Sequence, residues 1–189
     1  MGFGSIILAG RRKGKLIVER SVLETTIDNV LKLKPEKVVV VVCKELSDLM
    51  KRGDVGVVTI SKSTGILCSL KAGIREIIKW KLDWILTCLG NQPIIDKEVV
   101  EKLILSKPKI MSIPVFMGLL GHPFLFSRKG AEEIISYPDE RTMRDFIEEK
   151  EVELVEVDTP TILERISPEE DYLLQIKKFK SIYFSKEEE

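Results

Sequence analysis

The sequence is poor in the residues that build most metal and redox sites. It has one histidine, His122, and three cysteines, Cys43, Cys68 and Cys88, in 189 residues. No Cys-x-x-Cys pair occurs, and a lone histidine leaves a zinc cluster of His and Cys ligands unsupported. Scattered, odd-numbered cysteines are expected to be ordinary buried thiols. Side-chain amides are also few (Asn29, Asn91, Gln92 and Gln175), while Lys and Glu abound, a bias of heat-adapted proteins. No sign of charge prevails: 30 Lys and Arg face 30 Asp and Glu. No bulk field therefore draws the chain to nucleic acid or to an anionic membrane, and neither is expected as a partner. No run approaches the ~18 apolar residues of a membrane span. The opening Met1-Gly2-Phe3-Gly4-Ser5 has neither a basic region nor a cleavage site, so no signal peptide and a cytoplasmic location are expected. At 44% hydrophobic and 32% charged residues the chain is not disordered, and its length suits one domain over 1–189.

What is present alternates strand and helix. Ser5 to Ala9 and the valine run Lys37 to Val42 are expected as strands covered on both faces. Val55 to Ile60 reads as another strand and Leu82 to Leu89 as the next buried one. Between them, Ser21 with Glu24 three residues on predicts a capping box, opening a helix to about Leu33 before Pro35. Helices are further expected over Glu45 to Lys51, Leu67 to Trp80 and, capped by Asp96, to about Leu105. Then the rhythm changes. Lys109 to Phe116 and Pro123 to Phe126 read as extended, Gly118 to Gly121 as a turn, and the whole as a hairpin-like insertion beside the sheet. Helices over Ser127 to Ser136 and Arg141 to Lys150 follow. Val152 to Val157 alternates apolar and acidic residues as an edge strand does, and a helix from Pro168 to about Phe179 closes the chain, its first turn made acidic by Glu169, Glu170 and Asp171. Trp80 and Trp84 read as core or rim packing. The expected fold is a three-layer α/β/α sandwich: a mostly parallel, Rossmann-like sheet with a small mixed, antiparallel extension.

Ligands of open α/β sheets bind outside the carboxyl ends of the strands, near the reversal of strand order. The loops after Ala9, Val42, Ile60 and Leu89 are the places to look. The first holds Gly10-Arg11-Arg12-Lys13-Gly14-Lys15, two glycines with four cations. Glycines let backbone N–H groups approach phosphate, and the cations neutralise it. The spacing matches neither the Walker loop nor GxGxxG, so the residues alone leave a basic surface loop equally open. Asn91 and Gln92 read either as a site or as a polar turn, and His122 as a substrate contact or a satisfied hairpin residue.

Ile7-Leu8-Ala9-Gly10 followed by Arg12-Lys13-Gly14-Lys15 resembles a shortened opening motif of MobA-like NTP transferases. Further matches come in the family's order: Gly65 to Gly73, Leu89-Gly90-Asn91-Gln92-Pro93, Gly121-His122-Pro123-Phe124-Leu125-Phe126, and Ser167 to Tyr172. The Gly-His-Pro segment resembles most the molybdenum-cofactor cytidylyltransferases, which move CMP onto molybdopterin. The resemblance implies the nucleotide-diphospho-sugar transferase type of fold and a reaction in which an acceptor phosphate attacks the α-phosphorus of an NTP, releasing pyrophosphate. It implies Lys15 and Arg12 on the triphosphate, nucleotide contacts from Leu8, Ala9, Gly10, Arg11, Gly65 and Ser69, and acceptor contacts from Gln92, Pro93 and His122. It also implies Mg²⁺. Where the family has a metal-binding aspartate this chain has Asn91, and the second aspartate is missing; Glu164 and Asp158 are the nearest carboxylates. Asn91 and Glu164 are thus the candidate metal positions. Two alternatives stay open: a nucleotide- or cofactor-binding protein with weakened or lost catalysis, and a sugar-phosphate nucleotidyltransferase. A molybdoenzyme maturation partner on the Val152 to Val157 edge is a further expectation.

Overall fold

The computed structural model describes residues 2–12, 15–16, 20–47, 50, 52–60 and 65–166, with 11, 12, 15, 16 and 45 described through their backbone alone. Strands β1 (Phe3–Ala9), β4 (Lys37–Cys43), β5 (Gly56–Ile60) and β6 (Trp84–Leu89) form the parallel half of the sheet. A two-stranded ladder, β2 (Arg11–Arg12) with β3 (Lys15–Leu16), stands apart from it. The other half holds β7 (Met111–Phe116), β8 (Leu119–Leu120), β9 (Phe124–Ser127) and β10 (Val152–Glu156). The strand order is β10-β7-β9-β6-β1-β4-β5, with β8 on β7. β9 runs antiparallel between β6 and β7, and β10 parallel to β7. The mixed extension is therefore part of the main sheet, where the sequence predicted an insertion beside it.

Two apolar clusters, one on each face of the sheet, make the three layers. On one face α1 (Arg20–Lys32), α2 (Lys44–Ser47) and α4 (Lys97–Leu105) set Leu23, Ile27, Val30, Leu46, Val99 and Leu103 against Ile7, Val38, Val40 and Leu86. On the other, α3 (Ile66–Ile77), α5 (Arg128–Ser136) and α6 (Met143–Glu149) set Leu70, Ile74, Ile77, Ile134 and Phe146 against Ile6, Val39, Val41 and Phe126. Alternate residues of β1 and β4 thus serve opposite faces, which is why those strands are unbroken apolar runs. Each fully buried Leu, Ile or Phe contributes about 1.5–3 kcal/mol of transfer free energy. Gly73 lets α3 lie close to the sheet, since a Cβ there would stand 2.6 Å from Ile6 and 2.9 Å from Val41. Among the described residues no helix is long and apolar enough to cross a membrane.

Several local expectations change. Helix α1 begins at Arg20, so Ser21 lies inside it and is not its cap; Glu24 bonds Arg20 at 2.8 Å instead of reaching back to Ser21. Asp96 does cap α4, accepting from Glu98 N at 2.9 Å. The α-helix over the 67–80 stretch ends at Ile77 and tightens into a 3₁₀ turn, Ile78–Trp80. The turn expected at 118–121 is confined to Met117 and Gly118, because Leu119 and Leu120 pair with β7 as β8. Cys43 and Cys88 are buried as expected, but Cys68 is exposed, since its position on α3 falls outside the apolar stripe. Trp84 is buried, whereas Trp80 lies on the rim with Lys37 Nζ 4.8 Å from its ring centre. The closing helix from Pro168, its acidic first turn and the Ser167 to Tyr172 match lie outside the described residues.

Candidate functional site

β4 and β5 lie to one side of β1, and β6, next in sequence, lies to the other. Strand order therefore reverses at β1 and β6, and the carboxyl ends at such a reversal are where open α/β sheets hold ligands. The two ends are tied there: Gly90 N donates to the Leu8 carbonyl at 2.8 Å. A side chain at Gly90 would meet Ala9 Cβ at 2.9 Å and Leu23 Cδ1 at 3.0 Å, so glycine is what lets the loops approach. Leu8, Ala9 and Gly10 are buried at the end of β1. The cationic stretch leaves from this point as the β2–β3 ladder, pairing Arg11 with Leu16 and Arg12 with Lys15 across the strands. Lys13 and Gly14 lie outside the described residues.

The residues taken from the resemblance gather on this rim. Helix α3 starts there from Gly65, with no side-chain cap and no acidic residue in its first turn. Its first-turn N–H groups carry the partial positive charge of a helix start, which favours an anion. Ser69 is buried, and its hydroxyl donates to the Gly65 carbonyl at 3.3 Å. The turn after β6 holds Asn91, Gln92 and Pro93. Asn91 accepts Ile166 N at 2.8 Å on its backbone carbonyl, which brings the segment bearing Glu164 to the turn. Burial pushes the Glu164 carboxyl above the usual range. Pro93 accepts from Asn29 Nδ2 at 2.8 Å.

His122 precedes β9, whose antiparallel course puts its start beside the end of β6. The His122–Pro123 bond is cis, and the imidazole stacks on Phe124 at 4.0 Å between ring centres. The residue is 7% exposed. Desolvation, and then the positive charge of Arg165, push its pKa from 6.5 down to about 3, so it stands neutral at neutral pH. A neutral imidazole offers one donor and one acceptor, and Nδ1 has no partner among the described residues. Gln92 is 1% exposed, and its Nε2 donates to the His122 carbonyl at 3.2 Å and the Thr161 carbonyl at 3.0 Å.

Two residues of the rim escaped the sequence reading. Thr26, buried on α1, donates its hydroxyl to the Gly90 carbonyl at 2.9 Å, and Asn29 holds Pro93 from the next turn of the same helix. The available signal was a polar residue inside the apolar stripe of Leu23, Ile27 and Val30.

Known proteins share this architecture. Rv0371c of Mycobacterium tuberculosis superposes with TM-score 0.76 at 19% identity, covering 93% of this chain and 99% of that one. A structure of Rv0371c in complex with manganese gives 0.71 at 17%, covering 96% and 100%. The 4-diphosphocytidyl-2C-methyl-D-erythritol synthase of Anaerococcus prevotii gives 0.66 at 17%, covering 95% and 98%. A CMP-2-keto-3-deoxy-manno-octonic acid synthetase complexed with CTP gives 0.67 at 11%, covering 98% and 99%. At these identities the likeness establishes the α/β nucleotidyltransferase-like fold. No curated protein matches the sequence. Residues 9–156, from the last residue of β1 to the end of β10, match the MobA-like NTP transferase domain, and the chain belongs to that family of nucleotidyltransferases.

Proposed function

We propose that this chain transfers a nucleoside monophosphate, CMP from CTP, to a phosphorylated acceptor, with molybdopterin the first candidate. An acceptor phosphate oxygen attacks the α-phosphorus, the new P–O bond forms, and the bond to the departing pyrophosphate breaks. Such chemistry asks a protein chiefly for positioning and charge neutralisation. The observation that carries the reading is the cationic β2–β3 ladder leaving β1 at the strand-order reversal, in a chain of this family. Lys15 with Arg11 and Arg12 would neutralise the triphosphate; Leu8, Ala9 and Gly10 would meet it through backbone, and Gly65 and Ser69 would flank base or sugar. Gly90 brings the 90–93 turn against this loop. His122 and Pro93 would face the acceptor. The cytidine preference draws on the diphosphocytidyl synthase and the CTP complex among the structural relatives.

The manganese complex among those relatives supports a divalent cation here too, with Mg²⁺ the first candidate. Among the described residues no group of three or more His, Cys, Asp or Glu converges to hold one. The rim offers the Asn91 amide and the Glu164 carboxyl. Magnesium commonly rests on one or two carboxylates plus substrate phosphates, so this set fits an ion that arrives on the triphosphate and not one caged by protein. Bound there, the ion would supply neutralisation of phosphate charge. An amide in place of a carboxylate at Asn91 forgoes about 4 kcal/mol of attraction per unit charge at ~4 Å and an effective dielectric of ~20.

Calorimetric titration with CTP, GTP and ATP, each with and without Mg²⁺, on wild type and Lys15→Ala tests the reading. One nucleotide should bind, lose its affinity in the variant, and release pyrophosphate when molybdopterin is supplied. No release across all three nucleotides counts against it, and a screen of sugar phosphates decides the acceptor. Asn91, an amide where the family has a metal-binding aspartate, together with the missing second aspartate, supports a second reading, a nucleotide-binding protein of weakened catalysis. It expects nucleotide to raise Tm while Mg²⁺ adds nothing, and Asn91→Asp to restore the effect of metal.

A further inference from the structure

Gln92 looks like a solvent-facing residue of a polar turn, yet it is 1% exposed while Asn91 and Pro93 on either side are partly exposed. Its carboxamide has two N–H donors, and both are spent, on the His122 carbonyl at 3.2 Å and the Thr161 carbonyl at 3.0 Å. No donor remains for a ligand. The two acceptors lie 30 and 69 residues away in sequence, on two separate segments of the rim. Backbone bonds complete the same knot: Gln92 N to Leu89 O at 3.1 Å, His122 N to Ile162 O at 2.9 Å, and Ile166 N to Asn91 O at 2.8 Å. Gly121 fits closely under Ile162, since a Cβ there would stand 2.5 Å from Ile162 Cγ1. The three segments so joined carry Asn91, His122 and Glu164.

We propose that Gln92 is a positioning residue for nucleotidyl transfer. Its carboxamide clamps residues 121–123 and 159–166 to the turn after β6 and thereby sets the places of Asn91, His122 and Glu164. The role rests on the transferase reading above. The chemistry of the side chain is specific to it. Gln92→Glu would turn oxygens toward two carbonyl oxygens, and Gln92→Leu would take the side-chain donor from the buried His122 carbonyl and leave the Thr161 carbonyl only its 3.3 Å bond from Glu164 N. Gln92→Asn keeps the carboxamide but is one methylene too short to span them.

The test uses the full chain as wild type, Gln92→Leu and Gln92→Asn, read by hydrogen exchange, nucleotide titration and steady-state pyrophosphate release. In the wild type the Gln92 side-chain N–H protons should be protected from solvent exchange, which needs no variant to fold. In Gln92→Leu, amides in 121–123 and 159–166 should exchange about tenfold faster while those of β1 and β4 keep their protection. Nucleotide Kd should stay near wild type, and kcat should fall by about tenfold to a hundredfold, the scale of a small misplacement of reacting groups. Gln92→Asn should lie between. Unprotected side-chain N–H protons in the wild type overturn the proposal. So does unchanged exchange in the two segments with reduced kcat, which would mean that Gln92 touches substrate, and so does loosened exchange with unchanged kcat. A wild type that releases no pyrophosphate from any nucleotide sinks the transferase reading and the role with it; an active wild type matched by an equally active Gln92→Leu sinks the role alone.

Discussion

The Gly90 amide donates to the Leu8 carbonyl at 2.8 Å, and this bond joins the two loops of the rim across the reversal of strand order. A Cβ at Gly90 would stand 2.9 Å from Ala9 Cβ and 3.2 Å from the Leu8 oxygen itself. Gly90→Ala should therefore destabilise the protein by about 1–3 kcal/mol, as overpacked cores do. For a chain of this size that is a fall in Tm of roughly 2–4 °C per kcal/mol. It should also weaken nucleotide binding, because the wall it displaces is the end of β1. Gly53→Ala is the control, with nothing within 4 Å of its new methyl. Equal Tm values for the two variants would show that the approach of the loops is slack.

His122 is the sole histidine, so its titration can be followed without assignment. Burial and Arg165 depress its folded pKa from 6.5 to about 3. Between those two values the unfolded chain binds a proton that the folded chain refuses. The stability linked to His122 is complete above about pH 6.5 and drains away as pH falls toward 3, at a slope approaching 1.4 kcal/mol per pH unit. Proton NMR should find a ring that does not titrate between about pH 7 and 4. His122→Gln should flatten the difference curve of stability against pH in that window. A midpoint near 6.5 in the folded protein, the ordinary value, would show the ring to be hydrated.

Lys71 is 3% exposed on α3 and donates to the Tyr137 carbonyl and to Asp139, fixing the loop between α5 and α6. The sequence places a lysine in the middle of an apolar stripe with no hint of its partners. Lys71→Met keeps most of the stem but leaves the buried carbonyl without a donor, and should cost about 1–2 kcal/mol. Asp139 is open to solvent, so Asp139→Asn should cost much less. The hydrogen bond from Lys71 holds the Asp139 carboxyl below its usual pKa. Its share of stability is thus present above the ordinary carboxylate range and lost as pH falls through the lowered value. Urea melts at about pH 7 and pH 3 on both variants check this, the two values bracketing the ordinary carboxylate range. A wild-type-like melt for Lys71→Met would mean that water serves Tyr137 equally well.

The parts of the fold legible from sequence are those with a local period. Valines 38–42 and the stripe Leu70, Ile74, Ile77 declare a two-faced strand and a one-faced helix by spacing alone, and the structure buries them so. Local patterns mislead where two chemistries share them. Ser21 and Glu24 have capping-box spacing, but Arg20 offers Glu24 an ion pair one turn back, and the helix starts earlier. The insertion of β9 between β6 and β7 depends on pairings across dozens of residues, which no short window encodes. The candidate site divides the same way. The loop after β1 could be located by the rule for open sheets, whereas the burial of Gln92 is set by Thr161, 69 residues on, and only the assembled rim reveals it.

The β7–β8 hairpin turns on Met117 and Gly118, both with positive φ, at 50° and 77°. That pair of signs marks a type I′ turn, whose first position favours Asn or Gly because a longer side chain is strained there. Met117 is 80% exposed, so replacing it forfeits little apolar burial. Met117→Asn should accordingly stabilise the protein by about 0.5–1 kcal/mol, relieving most of the left-handed penalty without the unfolded-state entropy that glycine would add. Met117→Val should do the opposite, since a branched Cβ tolerates this region worst. Thermal melts of the two variants beside wild type decide it. A destabilised Met117→Asn would mean that the methionine makes a contact in solution that its exposure does not betray, and the hairpin tip would then have to be counted among the protein's occupied surfaces.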